Sequence, residues 1–136
     1  MWLVSSVCYG VVALVSLIFG IIYLTRTQFM PYHSLALGKQ WSEVESNTQT
    51  LILALMRVAG SGFMVTGITI LVLLCIPFQA RESWAIYSIF SIASCTSFSS
   101  SYATFLVDRR TPANPPLKLS YATVALTLIG FICSML

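Results

Sequence analysis

Charge is what this chain has least of. Only 8% of its 136 residues are charged, four acidic and seven basic, with one histidine; an average soluble domain is charged at about a quarter of its positions. A lone His33 leaves no pair of imidazoles for a haem or di-metal ligand set, which removes most membrane redox chemistry. Cys8, Cys75, Cys95 and Cys133 form no CxxC and have no nearby histidine, so no zinc site or aqueous disulfide framework is indicated. They read as small apolar core residues, with Cys8, Cys75 and Cys133 towards one end of their helices, where a pair would oxidise if it met. No acidic residue interrupts the apolar runs to serve a proton relay. No strand precedes Gly60-Ser61-Gly62, so that segment is a close-packing site and not a phosphate loop. The serines are too numerous, and their spacing too unspecific, to define a catalytic triad with His33 and Asp108. No catalytic residue, metal ligand or cofactor is therefore assigned, and an enzymatic role stays open.

What the chain does contain is four charge-free runs: Met1 to Thr25, Val58 to Ala80, Ser83 to Val107 and Leu119 to Leu136. Each is long enough to cross roughly 30 Å of hydrocarbon as a helix. Unpaired backbone groups are costly in lipid, and these runs are too long and too uniformly apolar for barrel strands. The expected fold is all-α: one integral membrane domain over residues 1–136, a four-helix up-and-down bundle with helices about 2–24, 42–76, 84–106 and 118–135. The 29–41 segment is expected as a short interfacial helix between the first two.

Net charge is +3, but the bases flank helices and so read as topology signals, not as a nucleic-acid surface. Arg26, Lys39, Arg109, Arg110 and Lys118 fall in the first and third connections, with Arg57 close by, whereas the second offers Arg81 beside Glu82. The first and third connections should face the cytoplasm and both termini the outside, the periplasm in a bacterium. The first apolar run has no basic stretch before it and exceeds the ~7 to 15 residues of a signal core, so it is expected to be retained.

Local signals refine the elements. Pro31 starts or bends a short helix, Gly38 can end it, and Ser42 with Glu45 has capping-box spacing, placing the second long helix from near Ser42. Trp2 and Tyr23 bracket the first span as interfacial anchors. Asp108, Arg109, Arg110 and the prolines at 112, 115 and 116 are expected to stop the third span. Small residues let helices approach closely in lipid, which nominates Gly10, Ala13, Gly20, Gly60, Gly67, Thr127 and Gly130 as packing positions.

The ionisable residues Tyr32, His33, Glu43, Glu45, Arg57, Asp108, Arg109 and Arg110 share the expected cytoplasmic edge. They could hold an anionic headgroup or handle protons; equally, the carboxylates favour a helix N-terminus, the arginines set topology and His33 is interfacial. Arg57 is ambiguous. Counted back from Pro77 it lies at the hydrocarbon edge and snorkels; counted from Leu51 it lies nearly two turns inside and must face the bundle. The hydroxyls from Ser88 to Thr104 either pack helices or line a pocket or polar pathway.

The segment Phe29-Met30-Pro31-Tyr32-His33, followed by Ala36 and Trp41, then Leu53 to Gly60 and Ile76-Pro77-Phe78, resembles a group of small bacterial four-helix membrane proteins without an assigned activity. The resemblance spans most of the chain. It implies a bacterial inner membrane and singles out Tyr32, His33, Trp41, Arg57 and Gly60.

Three functions follow as expectations. The first is a packing or accessory subunit, or a lipid-holding partner, in a homo-oligomer or larger membrane assembly. The second is a lipid- or small-molecule-binding protein with its pocket around His33 and Arg57, with Tyr32, Trp41, Arg109 and Arg110 as further headgroup candidates. The third is a proton-coupled or pore-forming oligomer.

Overall fold

The computed structural model describes residues 1–136, which form helices and no strands. In chain order these are α1 (Trp2–Thr25), α2 (Pro31–Leu37), α3 (Ser46–Cys75), α4 (Ser83–Arg110) and α5 (Leu117–Met135), with a 3-10 turn at Trp41–Glu43. α1, α3 and α5 are long and apolar enough to cross a membrane. α4 has the length, at 28 residues, but its serines and threonines leave it less apolar than those three.

The four long helices pack side by side, α1 against α3 and α5, and α4 against α5 and α3. Side-chain pairs show that neighbours run antiparallel. Ser5 Oγ donates to the Gly130 carbonyl (2.8 Å) across α1 and α5, and Ser101 Oγ to the Ser120 carbonyl (3.0 Å) across α4 and α5. The connections from α1 to α3 and from α4 to α5 thus lie at one end, and both termini and the α3–α4 connection at the other. At that second end Trp2 stacks on Phe78 (centroids 4.1 Å apart) and carries the Arg81 guanidinium over its ring (4.2 Å).

Tyr9, Val12, Ile70, Leu74, Phe78, Ile86 and Ile89 form an apolar core, the rest of the interior is rich in small and hydroxylated residues, and many large branched residues face out. Buried positions include Ala13, Ala85, Ala93, Ser5, Ser16, Thr66, Ser97, Ser101, Thr127 and Ser134. Leu3, Val7, Leu14, Ile18, Val58, Val65, Val72 and Ile132 are exposed. Water would not leave so many large apolar side chains outside, whereas in hydrocarbon a leucine gains little by turning inward and close backbone approach adds to the contacts of the core.

That approach is tightest between α1 and α3. A Cβ on Gly67 would lie 2.6 Å from Leu17 Cγ and 2.9 Å from the Ala13 carbonyl oxygen; one on Gly20 would meet Met64, and one on Gly60 would meet Tyr23 and the Gly20 carbonyl oxygen. Gly130 fits more loosely under Tyr9 and Cys8, and Gly10 makes only ordinary contact with Leu74.

Two boundaries differ from expectation. α3 starts at Ser46, not near Ser42, because the preceding residues are used by the 3-10 turn. Gln40 N–H donates to Glu43 Oε2 (2.7 Å), so the reciprocal cap forms on Glu43 and not between Ser42 and Glu45. α4 continues through Asp108, Arg109 and Arg110 in place of stopping before them. The two arginines occupy its last turn, where a positive charge opposes the helix dipole favourably, and Thr111 ends the helix in extended conformation just before Pro112.

Beneath the α1–α3 connection, Phe29, Val44 and Met56 form a separate buried cluster. It holds the connection, and with it α2, against the ends of α1 and α3.

Candidate functional site

A cavity of about 620 Å³ lies among the helices. The Thr66 and Thr96 hydroxyls, 2.9 Å apart, tie α3 to α4, and the cavity occupies the gap between those helices on the side nearer α2. α3 contributes Ala59, Gly62 and Phe63, and α4 contributes Cys95, Ser99, Ser100, Ala103, Thr104 and Val107. Val15, Ser16, Phe19 and Tyr23 of α1 form the back wall, and Ser120 and Thr123 of α5 one flank. Ala59, Gly62, Cys95, Ser99 and Ala103 are also exposed, so the cavity opens along the seam between α3 and α4.

The hydroxyl-rich half of α4 divides its work. Ser97 lies 3.4 Å from the Thr127 hydroxyl and Ser101 donates to Ser120, which fastens α4 to α5. Ser100 donates to the Ser97 carbonyl (3.2 Å) and Thr104 to the Ser100 carbonyl (2.8 Å). Their hydrogens are committed within the helix, leaving oxygen lone pairs for the cavity. Packing and pocket lining are therefore both served by hydroxyls of one helix, and Thr96 and Ser97 take part in both.

α2 closes the end of the cavity with Tyr32 and His33. It is a short helix with both ends fixed: Pro31 occupies its first turn, and Gly38 follows it with φ 66, a left-handed conformation that favours glycine. The Met30 N–H donates to His33 Nδ1 (3.3 Å), which leaves the imidazole proton on Nε2. Burial, and then the positive charge of Arg26, hold His33 below the ordinary imidazole value of 6.5, so the ring is neutral at pH 7. The Tyr32 hydroxyl lies 2.8 Å from that of Tyr23 on α1, and its ring meets His33 edge to face at 4.4 Å. Burial, and then the bond to Tyr23, push the Tyr32 phenol above its usual range and keep it protonated.

An open apolar groove adjoins this cavity and shares Tyr23, His33, Ala59 and Val107 with it. Its remaining walls are Ala36, Leu37, Ile52, Leu55 and Met56, all apolar. Tyr23 and His33 thus stand where a largely apolar cavity with a few hydroxyls meets a wholly hydrocarbon-lined groove. No aspartate, glutamate, lysine or arginine lines either.

Of the residues singled out from sequence, Tyr32 and His33 come together here. Arg57 does not join them: it sits on the exposed face of α3, beside buried Met56, and lines neither the cavity nor the groove. Trp41 packs edge-on against Phe29 (4.8 Å) in the cluster under the connection. The Arg109 guanidinium lies 5.5 Å from the Phe105 ring centroid, and Arg110 is exposed. Glu43 caps the 3-10 turn. Tyr23 was expected only as an interfacial anchor, whereas Ser100 and Thr104 belong to the hydroxyls for which a pocket lining was one of the expectations. The hydroxyl density of α4 signalled the last two, but nothing in sequence spacing brings Tyr23 to Tyr32.

Comparison of the chain with protein-family models, with curated proteins and with solved structures finds no match.

Proposed function

We propose that this chain is a four-span protein of a bacterial inner membrane that binds an amphipathic molecule drawn from the bilayer. The carrying observation is the cavity: about 620 Å³, largely apolar, with a few convergent hydroxyls and one neutral imidazole. Small-molecule sites typically occupy about 300–1,000 Å³ and are built in that way. The fourth span is α4, whose 28 residues reach about 42 Å and whose hydroxyls bond to their own helix or to α5 and α3. Arg26, Lys39, Arg109, Arg110 and Lys118 cluster near one end of the bundle, which the positive-inside rule assigns to the cytoplasm, with α2 in the headgroup layer there and both termini outside.

The accessory-subunit reading draws less support. The small residues that motivated it, above all Gly20, Gly60 and Gly67, are occupied by contacts within the chain. Arg57 drops out of the binding reading, and Tyr23 takes its place beside His33.

Native mass spectrometry of gently extracted protein tests the function. Wild type is expected to retain a bilayer-derived adduct that Ala103→Phe, which fills the cavity from its open side, loses without loss of helical content. Identical adducts on both proteins would refute the reading. Labelling of single cysteines placed at Lys39 and Gln79 from either side of the membrane tests the orientation.

A further inference from the structure

The geometry points to an uncharged lipid with carbonyl oxygen at its polar end as the occupant, its head held between the Tyr23–Tyr32 pair and His33 and its hydrocarbon lying along the adjoining apolar groove. This rests on the cavity being a binding site, and it narrows what can enter.

Hydrogen-bond capacity sets the head. Of the two phenol hydrogens in the Tyr23–Tyr32 contact, one joins the pair and the other is free to donate outward. His33 accepts at Nδ1 from Met30, so its Nε2–H is likewise a donor. Ser100 and Thr104 offer the complementary role, because with their hydrogens on helix carbonyls their oxygens are free to accept from a ligand. Carbonyl oxygens satisfy the donors, and a hydroxyl on the ligand would satisfy the acceptors.

Charge excludes the common alternative. A phosphate head entering this chamber would shed its water and find no cation on the lining. Arg26, whose charge reaches His33, lines neither the cavity nor the groove. The hydrogen-bonding groups are confined to the cavity and the junction, the groove beyond is wholly hydrocarbon-lined, and Tyr23 and His33 border both. A compact polar metabolite would leave the apolar groove unused.

Carbonyl-headed neutral lipids come from two sources, diacylglycerols and prenylated quinones, and the experiment separates them. The full chain is placed in phosphatidylcholine nanodiscs containing equal mole fractions of dioleoylglycerol, a prenylated benzoquinone and dioleoylphosphatidic acid, and retained lipid is read by native mass spectrometry. One neutral lipid is expected to exceed phosphatidic acid by about tenfold or more, and which one identifies the source. Tyr32→Phe and His33→Leu should each lower that retention about three- to tenfold. Ser34→Ala, which disturbs α2 at its bond to Lys39 without touching the cavity, should leave it unchanged.

Equal or preferential retention of phosphatidic acid, still lost in Ala103→Phe, would overturn the neutral-lipid assignment while leaving a binding cavity. A loss in Ser34→Ala as large as in Tyr32→Phe would overturn the recognition role of the donors. No difference between wild type and Ala103→Phe for any lipid would overturn both this inference and the function on which it rests.

Discussion

Tyr23 on α1 and Tyr32 on α2 meet hydroxyl to hydroxyl at 2.8 Å, nine residues apart in sequence and on either side of a turn. This bond joins the short helix to the bundle at the point where the cavity and the groove adjoin. Tyr23→Phe or Tyr32→Phe should therefore loosen α2 while leaving the long helices paired. We expect a cost of about 0.5–1.5 kcal/mol, seen as faster amide exchange confined to residues 31–37. Uniformly faster exchange along α1 and α3 would contradict this local role.

The α1–α3 crossing makes a sharper contrast. Gly67→Ala drives a methyl into Leu17 and the Ala13 carbonyl, so it should destabilise by about 1–3 kcal/mol. Gly62→Ala, on the same helix with nothing within 4 Å of the new methyl, should be neutral or stabilising by up to about 1 kcal/mol through helix propensity. Thermal unfolding in one detergent ranks the two, and similar melting temperatures would mean the helices do not cross at Gly67.

His33 gives the fold a pH dependence of defined sign. Its folded-state affinity for a proton is lowered by burial and by Arg26, whereas the unfolded imidazole titrates near 6.5. Above that value both states are neutral and nothing is lost. As pH falls below 6.5 the unfolded chain takes up a proton that the folded one resists, so stability declines until the folded ring also titrates. Melting temperature should therefore fall between pH 7 and pH 5, and His33→Gln should flatten the profile. An unchanged slope in that variant would assign the effect elsewhere.

Cysteine reactivity reports on the cavity directly. Cys95 lines it and is exposed, while Cys8 and Cys133 are buried between α1 and α5. In detergent, N-ethylmaleimide should modify Cys95 well before Cys8 or Cys133, and Ala103→Phe should slow Cys95 specifically. Cys75, exposed and outside both the cavity and the groove, is the internal reference.

Helical class and close-packing positions were legible because lipid imposes simple rules on composition. Gly20, Gly60 and Gly67, nominated by their size, do sit at the tight α1–α3 approach, whereas Gly10 makes only ordinary contact and Gly62, in the segment read as a close-packing site, meets nothing within 4 Å. The start of α3 was not legible: Glu43 and Glu45 offer competing caps by spacing, and the structure uses Glu43, which accepts from the Gln40 N–H in the 3-10 turn. Arg57 attracted attention as the charge nearest an apolar run, yet sequence could not say which way it turned. Met56, its buried neighbour, sets that face. The Tyr23–Tyr32 contact escaped for a different reason, because it depends on the chain reversing between Arg26 and Met30, and no periodicity encodes that turn.

The opening along the α3–α4 seam changes what concentration means for this protein. On the proposed reading, with the helices in a bilayer and the entrance facing lipid, occupancy would be governed by the mole fraction of ligand in the membrane and not by its amount per volume of water. Diluting vesicles with buffer would leave the site as full as before. Fusing them with ligand-free vesicles would empty it.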